Sequence, residues 1–200
     1  MPDDQRARRW DAVHNETAVR RAANELFAEL GMAITPVAIA ERAGVGRATV
    51  YRTFPTRDAL IGAVYEDRVE WLRARLEEAL GRDDPWRAHV ELLHEVMQRL
   101  RVDRGLGYAL APGSDLDQRV LEPVQELFDR LLTAVKSTGR IRSDVTTDDM
   151  ANLASGMAHS LRRRREFTAA SWTRAADLVM AACGTYPPAV GVRRDEPGPA

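Results

Sequence analysis

One cysteine, Cys183, in 200 residues excludes an internal disulfide framework and a zinc site built from cysteines. No long uncharged apolar run occurs, so no transmembrane helix is expected. The opening MPDDQRARRWDAVHNE lacks the apolar stretch of a secretory signal, and the cytoplasm is the default expectation. Charge of one sign is missing too. A formal net charge of −1 excludes a chain that coats nucleic acid by bulk electrostatics, so any such binding needs a local patch. His89 and His94 stand five apart and do not share a helix face as i, i+4 ligands would; no His-Glu-x-x-His set occurs, and neither metal nor cofactor is expected. Without a nucleophile–base pair or a phosphate loop, an enzyme acting on a small apolar molecule is the weaker alternative and the chain is read as no enzyme. Internal repeats are absent as well.

What is there reads as helix. With 44% hydrophobic and 30% charged residues the chain can bury a core and stay soluble. From Asn15 to Leu30, the apolar positions Val19, Ala22, Ala23, Leu26, Phe27 and Leu30 follow i, i+3, i+4, i+7 spacing, and Gly31 follows as a stop. Thr35 can cap the next helix, Pro36 suits its first turn, and Gly44 can end it in the left-handed conformation. Pro55-Thr56 starts a long helix to about Leu80, with Leu60, Ile61, Val64, Leu72 and Leu76 on its apolar side. Further helices are expected over Trp86–Leu100, Asp115–Ser137 (with Pro123 as a kink) and, towards the end, along Met150–Leu161 and Trp172–Cys183; residues 103–114, with three glycines and a proline, form a short irregular helix plus loop.

One stretch resists. Gly44 to Phe54 reads GVGRATVYRTF, and its β-branched and aromatic residues favour strands. At helical spacing it makes better sense. Val45, Ala48 and Tyr51, with Val50 and Phe54 as further candidates, can face inward, while Arg47, Thr49 and Arg52 face out. Two short helices joined by a glycine-containing turn make a helix-turn-helix. The second helix must enter a major groove about 12 Å wide, so small and hydrogen-bonding outer residues suit it. Arg42, Arg47, Arg52 and Arg57 occur with no acidic residue between the first and the last, a local positive patch on a nearly neutral chain. Thr56 and Arg57 start the next helix beside it.

These residues also carry a resemblance. ANELFAELG followed by TPVAIAERAGVGRATVYRTFPTRDAL, over roughly residues 15–62, resembles the TetR family of one-component transcriptional regulators. The resemblance implies an all-α chain: an N-terminal three-helix helix-turn-helix DNA-binding domain followed by an α-helical ligand-binding and dimerisation domain. It divides the chain into a flexible arm (1–13), a helix-turn-helix domain (14–57), a helical effector-binding and dimerisation domain (58–186) and a disordered tail (187–200). It implies a homodimeric regulator, a repressor released from double-stranded operator DNA by a small-molecule effector; a ligand-independent DNA-binding regulator is the alternative. Backbone contacts fall to Thr35, Thr49, Tyr51 and Arg57, and base edges to Arg47 and Arg52. One position departs. Most members carry Ser after Ala-Gly-Val, and this chain has Gly46, which tolerates a cap geometry but supplies no oxygen.

The other candidates each have a plain counterpart. Tyr51 is either a core residue or a phosphate contact. Arg6, Arg8 and Arg9 are either a minor-groove arm or a solubilising tail. Arg162 to Arg165 read as cations complementing a helix C-terminus. Trp71, Trp86, Met97, Tyr108 and Phe128 are either core or the lining of an apolar ligand pocket. Cys183 reads as buried and inert. The last two helices have small faces, and the resemblance assigns Met150, Leu153, Ala154, Met157, Leu161, Trp172, Ala176 and Val179 to a two-fold four-helix dimer interface.

Overall fold

In the computed structural model, backbone is described for residues 2–109 and 118–185, and side chains for 13–107 and 121–185. The described chain is helical, and nothing in it is paired as strand except an isolated bridge between Ile141 and Gly184. The helices are α1 (Pro2–Leu30), α2 (Pro36–Ala43), α3 (Arg47–Thr53), α4 (Arg57–Leu80), α5 (Pro85–Val102), α6 (Arg104–Ala109), α7 (Gln118–Ser137), α8 (Thr147–Arg163) and α9 (Ala169–Cys183). A short 3₁₀ turn, Gly31–Ala33, follows α1. One assignment differs from the sequence reading. α1 begins at Pro2 rather than near Asn15, so the stretch expected as an arm continues the helix backbone. Proline is compatible with a first turn and no later breaker intervenes before Gly31. Arg6, Arg8 and Arg9 have side chains outside the described residues, as does the whole of the tail, 187–200.

The boundaries have local causes. Thr35 accepts the amide of Ala38, Thr56 that of Ala59, Asp84 that of Arg87 and Thr168 that of Ser171. Thr146 and Asp149 form a reciprocal capping box at the start of α8. Gly44 ends α2 at φ 67°, with Val45 N donating to Ala40 O at 3.0 Å. α8 ends with the same hydrogen-bond pattern at Arg165, φ 54°, where Glu166 N reaches Leu161 O and Arg165 N reaches Arg162 O, both at 2.9 Å.

Two apolar cores result. One gathers Val19, Phe27, Ile34, Ile39, Val50, Phe54, Leu60 and Val64 between α1, α2, α3 and the start of α4. The other runs from Leu72 through α5, α7, α8 and α9 to Cys183 and includes the fully buried Trp172 and Met97. Only α4 runs through both. Cys183 is buried, and burial pushes its thiol pKa up.

Candidate nucleic-acid interface

The position of α3 is fixed by what it buries. Val50 is 1% exposed and Phe54 5%, both set among the side chains of the first core, and Arg20 stacks over the Phe54 ring at 5.7 Å. Helical spacing then puts Arg47, Ala48, Tyr51 and Arg52 on the opposite side, all exposed. This corrects the inward set read from the sequence: Val50 and Phe54 are the anchors, Val45 is half-buried, and Ala48 and Tyr51 point outward. The physical reason lies in the tyrosine hydroxyl. At 56% exposure Tyr51 keeps it in water, whereas valine brings no polar group into the core.

The outer face carries exposed cationic and hydroxyl groups. Arg47 makes no hydrogen bond or ion pair with a described residue. Arg52 Nη2 donates to Thr49 Oγ1 at 3.3 Å, and Thr53 Oγ1 donates to Thr49 O at 3.1 Å. Thr49 is half-buried beside this face rather than at its centre. Gly46 stands at the N-cap of α3 with φ −71° and ψ 149° and offers no side-chain bond, while Thr49 N donates to Gly46 O at 2.9 Å. Thr35, at the start of α2, is exposed with its oxygen on the Ala38 amide at 3.3 Å.

Two of the four arginines of the patch are engaged elsewhere. Arg42 forms a bidentate pair with Glu29, at 2.9 Å for each bond, and reaches Glu25 at 3.3 Å; these carboxylates hold its pKa above the ordinary arginine value. Arg57 donates to Met32 O at 2.8 Å and Ile34 O at 3.4 Å, tying the start of α4 to the α1–α2 connection. The positive face is therefore narrower than the sequence suggested, centred on Arg47 and Arg52. Pairing of α2 with α1, and of α4 with the α1–α2 connection, is not visible as a linear motif.

Pocket and interface candidates divide differently from the expectation. Met97 is fully buried in the second core, and Trp71, Trp86 and Phe128 are half-buried against it. Arg99 lies over Trp71 at 5.5 Å and Arg140 over Trp86 at 5.6 Å. The side chain of Tyr108 lies outside the described residues. The open groove between the ends of α4 and α7 is lined by Leu80, Asp129, Arg130, Thr133, Ala134 and Ser137, none of them in the expected set. Of the interface residues, Met150, Ala154, Trp172, Ala176 and Val179 belong to the protomer's own core, and Met157 and Leu161 are half-buried. Leu153 alone of that set is exposed, at 38%; on α9 it is Leu178, at 45%, that takes the outer position. The small residues divide: Ala154 and Ala158 of α8 and Ala175 and Ala176 of α9 are buried in the second core, whereas Gly156 and Ala182 are exposed. Arg162 is also reassigned. Instead of solvating a helix end, it donates to Leu100 O and, at 3.1 Å, to Asp103 O, and stacks over Trp172 at 5.7 Å. Among the described residues no group of three or more ligating side chains is placed to hold a metal ion, and no helix is long and apolar enough to cross a membrane.

Known proteins share this arrangement. Residues 19–64 match the profile of bacterial regulatory proteins of the tetR family, and residues 84–181 match that of the SbtR-like transcriptional regulator C-terminal domain. A TetR transcriptional regulator from Streptomyces coelicolor is 30% identical, over 84% of this chain and 98% of that one, with a TM-score of 0.59. A TetR transcription regulatory protein from Mycobacterium vanbaalenii is 28% identical, over 88% and 99%, with a TM-score of 0.52. SmeT, repressor of a multidrug efflux pump in Stenotrophomonas maltophilia, shares the fold at 21% identity, over 92% and 97%, with a TM-score of 0.61. No curated protein sequence matches significantly.

Proposed function

Since this chain belongs to the TetR family of transcriptional regulators, we propose that it is a homodimeric repressor that reads operator DNA with α3 and leaves it when a small molecule binds among the later helices. The observation that carries the reading is the outer face of α3, where exposed Arg47, Ala48, Tyr51 and Arg52 stand on a helix with no carboxylate, anchored by buried Val50. Arginine is the side chain that takes guanine O6 and N7 in bidentate fashion, and a short side chain such as Ala48 lets a thymine methyl approach. The Tyr51 hydroxyl and the helix start at Gly46 suit phosphate oxygens, which set register without reading sequence. Thr35 and Thr49 add hydroxyls beside them. A two-fold dimer formed through the outer sides of α8 and α9, around Leu153 and Leu178, would set two copies of α3 about 34–36 Å apart, or a multiple of that.

Effector release follows from differential affinity. A ligand that binds better to a conformation with the wrong half-site spacing shifts the population away from DNA. α4 is the lever, since its first turns pack in one core and its last turns in the other. Solved proteins of the same fold have been captured with resorcinol, in RolR, and with stearoyl-CoA, in FadR from Bacillus subtilis. One observation favours the second reading, a ligand-independent regulator: among the described residues Met97 is fully buried, with Trp71, Trp86 and Phe128 packed against the same core. A thermal-shift screen over small apolar and cationic compounds separates the two, since a ligand-independent protein is stabilised by none.

The DNA reading is tested by selecting duplexes from a random pool and titrating the enriched sequence. A near-palindromic site is expected, and Arg47→Ala should cost about 1–3 kcal/mol and relax base preference at one position of each half-site. No enriched sequence, or an Arg47→Ala protein with unchanged base preference, would sink it.

A further inference from the structure

The two apolar cores meet at a charged seam. On α4 the first core ends at Tyr65 and the second begins at Leu72. Arg68 lies between them, 4% exposed. Its guanidinium reaches both sides. Nε donates to Asp103 Oδ1 at 3.1 Å, Nη1 donates to Asn24 Oδ1 at 2.9 Å and to Val64 O, and Nη2 donates to Asn24 O at 3.2 Å. The same group lies over the Phe27 ring at 4.8 Å. Asn24 and Phe27 belong to α1, and Asp103 joins α5 to α6.

Asp103 in turn sets α6. Its Oδ1 accepts the Leu106 amide at 3.1 Å, Arg99 Nε approaches Oδ2 at 3.5 Å, and Arg162 of α8 donates to Asp103 O at 3.1 Å. Gly105 brings α6 against α1 more closely than a side chain would permit: a Cβ there would overlap the Phe27 ring edge and lie 2.6 Å from Arg68 Nε. One network thus spans α1, α4, the α5–α6 junction and α8.

Such a seam is poorly explained as a source of stability, because apolar residues of similar volume often serve as well as a buried ion pair. What directed bonds add is a single arrangement. An apolar seam can slide, whereas this one is either made or broken.

We propose that the Arg68–Asp103 pair is a latch between the DNA-binding helices and the effector domain. While Asp103 holds Arg68, α6 stays docked on α1, and Asn24 and Phe27 are fixed. Any event that draws the α5–α6 junction away from α4 releases both and loosens the helix on which α2 and α3 rest. The latch rests on the regulatory reading above only in its DNA-dependent arm.

Hydrogen exchange on the full-length chain tests it with two variants. Asp103→Asn keeps the shape and the acceptor for Leu106 but removes the charge. Arg68→Met/Asp103→Leu removes both charges and leaves an apolar seam that folds. Without DNA, Asp103→Asn should speed exchange near Asn24–Phe27 and at 104–107 together, by about tenfold or more, with α9 unchanged. With the selected duplex, the wild type should gain protection at 104–107, and both variants should bind DNA without gaining it. Exchange near Asn24 that ignores Asp103→Asn, or variants that still pass protection to 104–107, would overturn the latch. If Asp103→Asn does not fold, the double variant decides both arms, and without DNA it too should speed exchange near Asn24–Phe27 and at 104–107. If the wild type selects no duplex, the DNA reading falls and the DNA-free arm alone decides the latch.

Discussion

Replacing Gly46 by serine should supply the one cap that the helix-turn-helix lacks. α2 and α4 each begin on a threonine whose Oγ1 accepts the third amide of the helix, at 3.3 and 3.1 Å, but α3 begins on Gly46 and has no such bond. The backbone there, φ −71° and ψ 149°, is already that of a capping residue, and a Cβ would meet nothing within 4 Å. Serine therefore enters without strain, its oxygen within reach of the Thr49 amide. Relative to glycine, serine at a cap is worth a few tenths of a kcal/mol, a net figure that already contains the stiffer unfolded chain. That shifts the melting temperature of a chain this size by about 1 °C. Gly46→Ala is the informative control. It stiffens the unfolded chain as serine does but lacks the oxygen, so Gly46→Ser should exceed it by about 1 kcal/mol, or about 2–4 °C. Far-UV circular dichroism melts of the three proteins read the difference. In DNA titrations the serine hydroxyl should raise affinity for all duplexes alike with the salt slope unchanged, since no charge is added. If the serine and alanine variants melt together, or serine melts below wild type, the missing cap is not what limits α3.

Other perturbations probe separate parts. Arg57→Ala removes the bonds to Met32 O and Ile34 O, so stability should fall by about 1 kcal/mol; a phosphate contact would instead lower the salt slope of DNA binding by about 0.9, and urea melts beside salt titrations distinguish them. Leu153→Glu combined with Leu178→Glu places charge on the exposed outer sides of α8 and α9 and should yield monomers in sedimentation; a persisting dimer would move the interface elsewhere. His89 is buried with neither ring nitrogen partnered among the described residues, and desolvation lowers its pKa from 6.5 to about 4. Between these values the unfolded chain takes the proton and the folded one does not, so stability falls with pH by about 3 kcal/mol across that window. His89→Leu should abolish that part of the acid sensitivity, and denaturant midpoints at pH 7 and 4.5 that fall equally in both proteins would show that other groups cause it.

The helix order was legible because its signals are local. Thr35, Pro36 and Gly44 bracket α2 with residues whose chemistry suits only those positions, and each does there what its type predicts. The all-α class followed from periodicity, and the recognition stretch from two short helices around a glycine turn. The rotation of α3 was not legible. Ala48, Val50 and Tyr51 are all compatible with a core, and only the space left by α1 and α4 selects valine. The side of α8 and α9 that packs within the protomer was not legible either. Small residues on α8 and α9 announce close packing but not the partner, and in the protomer Ala154, Ala158, Ala175 and Ala176 are buried in its own core.

By itself, then, the sequence determined the class, the caps, the order of helices and the presence of a basic helix-turn-helix. All of these depend on interactions within a few residues along the chain. Tertiary structure decided which charges remain available. It set Arg42 against Glu25 and Glu29, Arg57 against two carbonyls, and Arg68 against Asp103 across 35 positions, leaving Arg47 and Arg52 to face outward. An arginine has the same composition wherever it sits; whether it is a partner for DNA or a tie within the protein depends on which acceptors the fold brings to it.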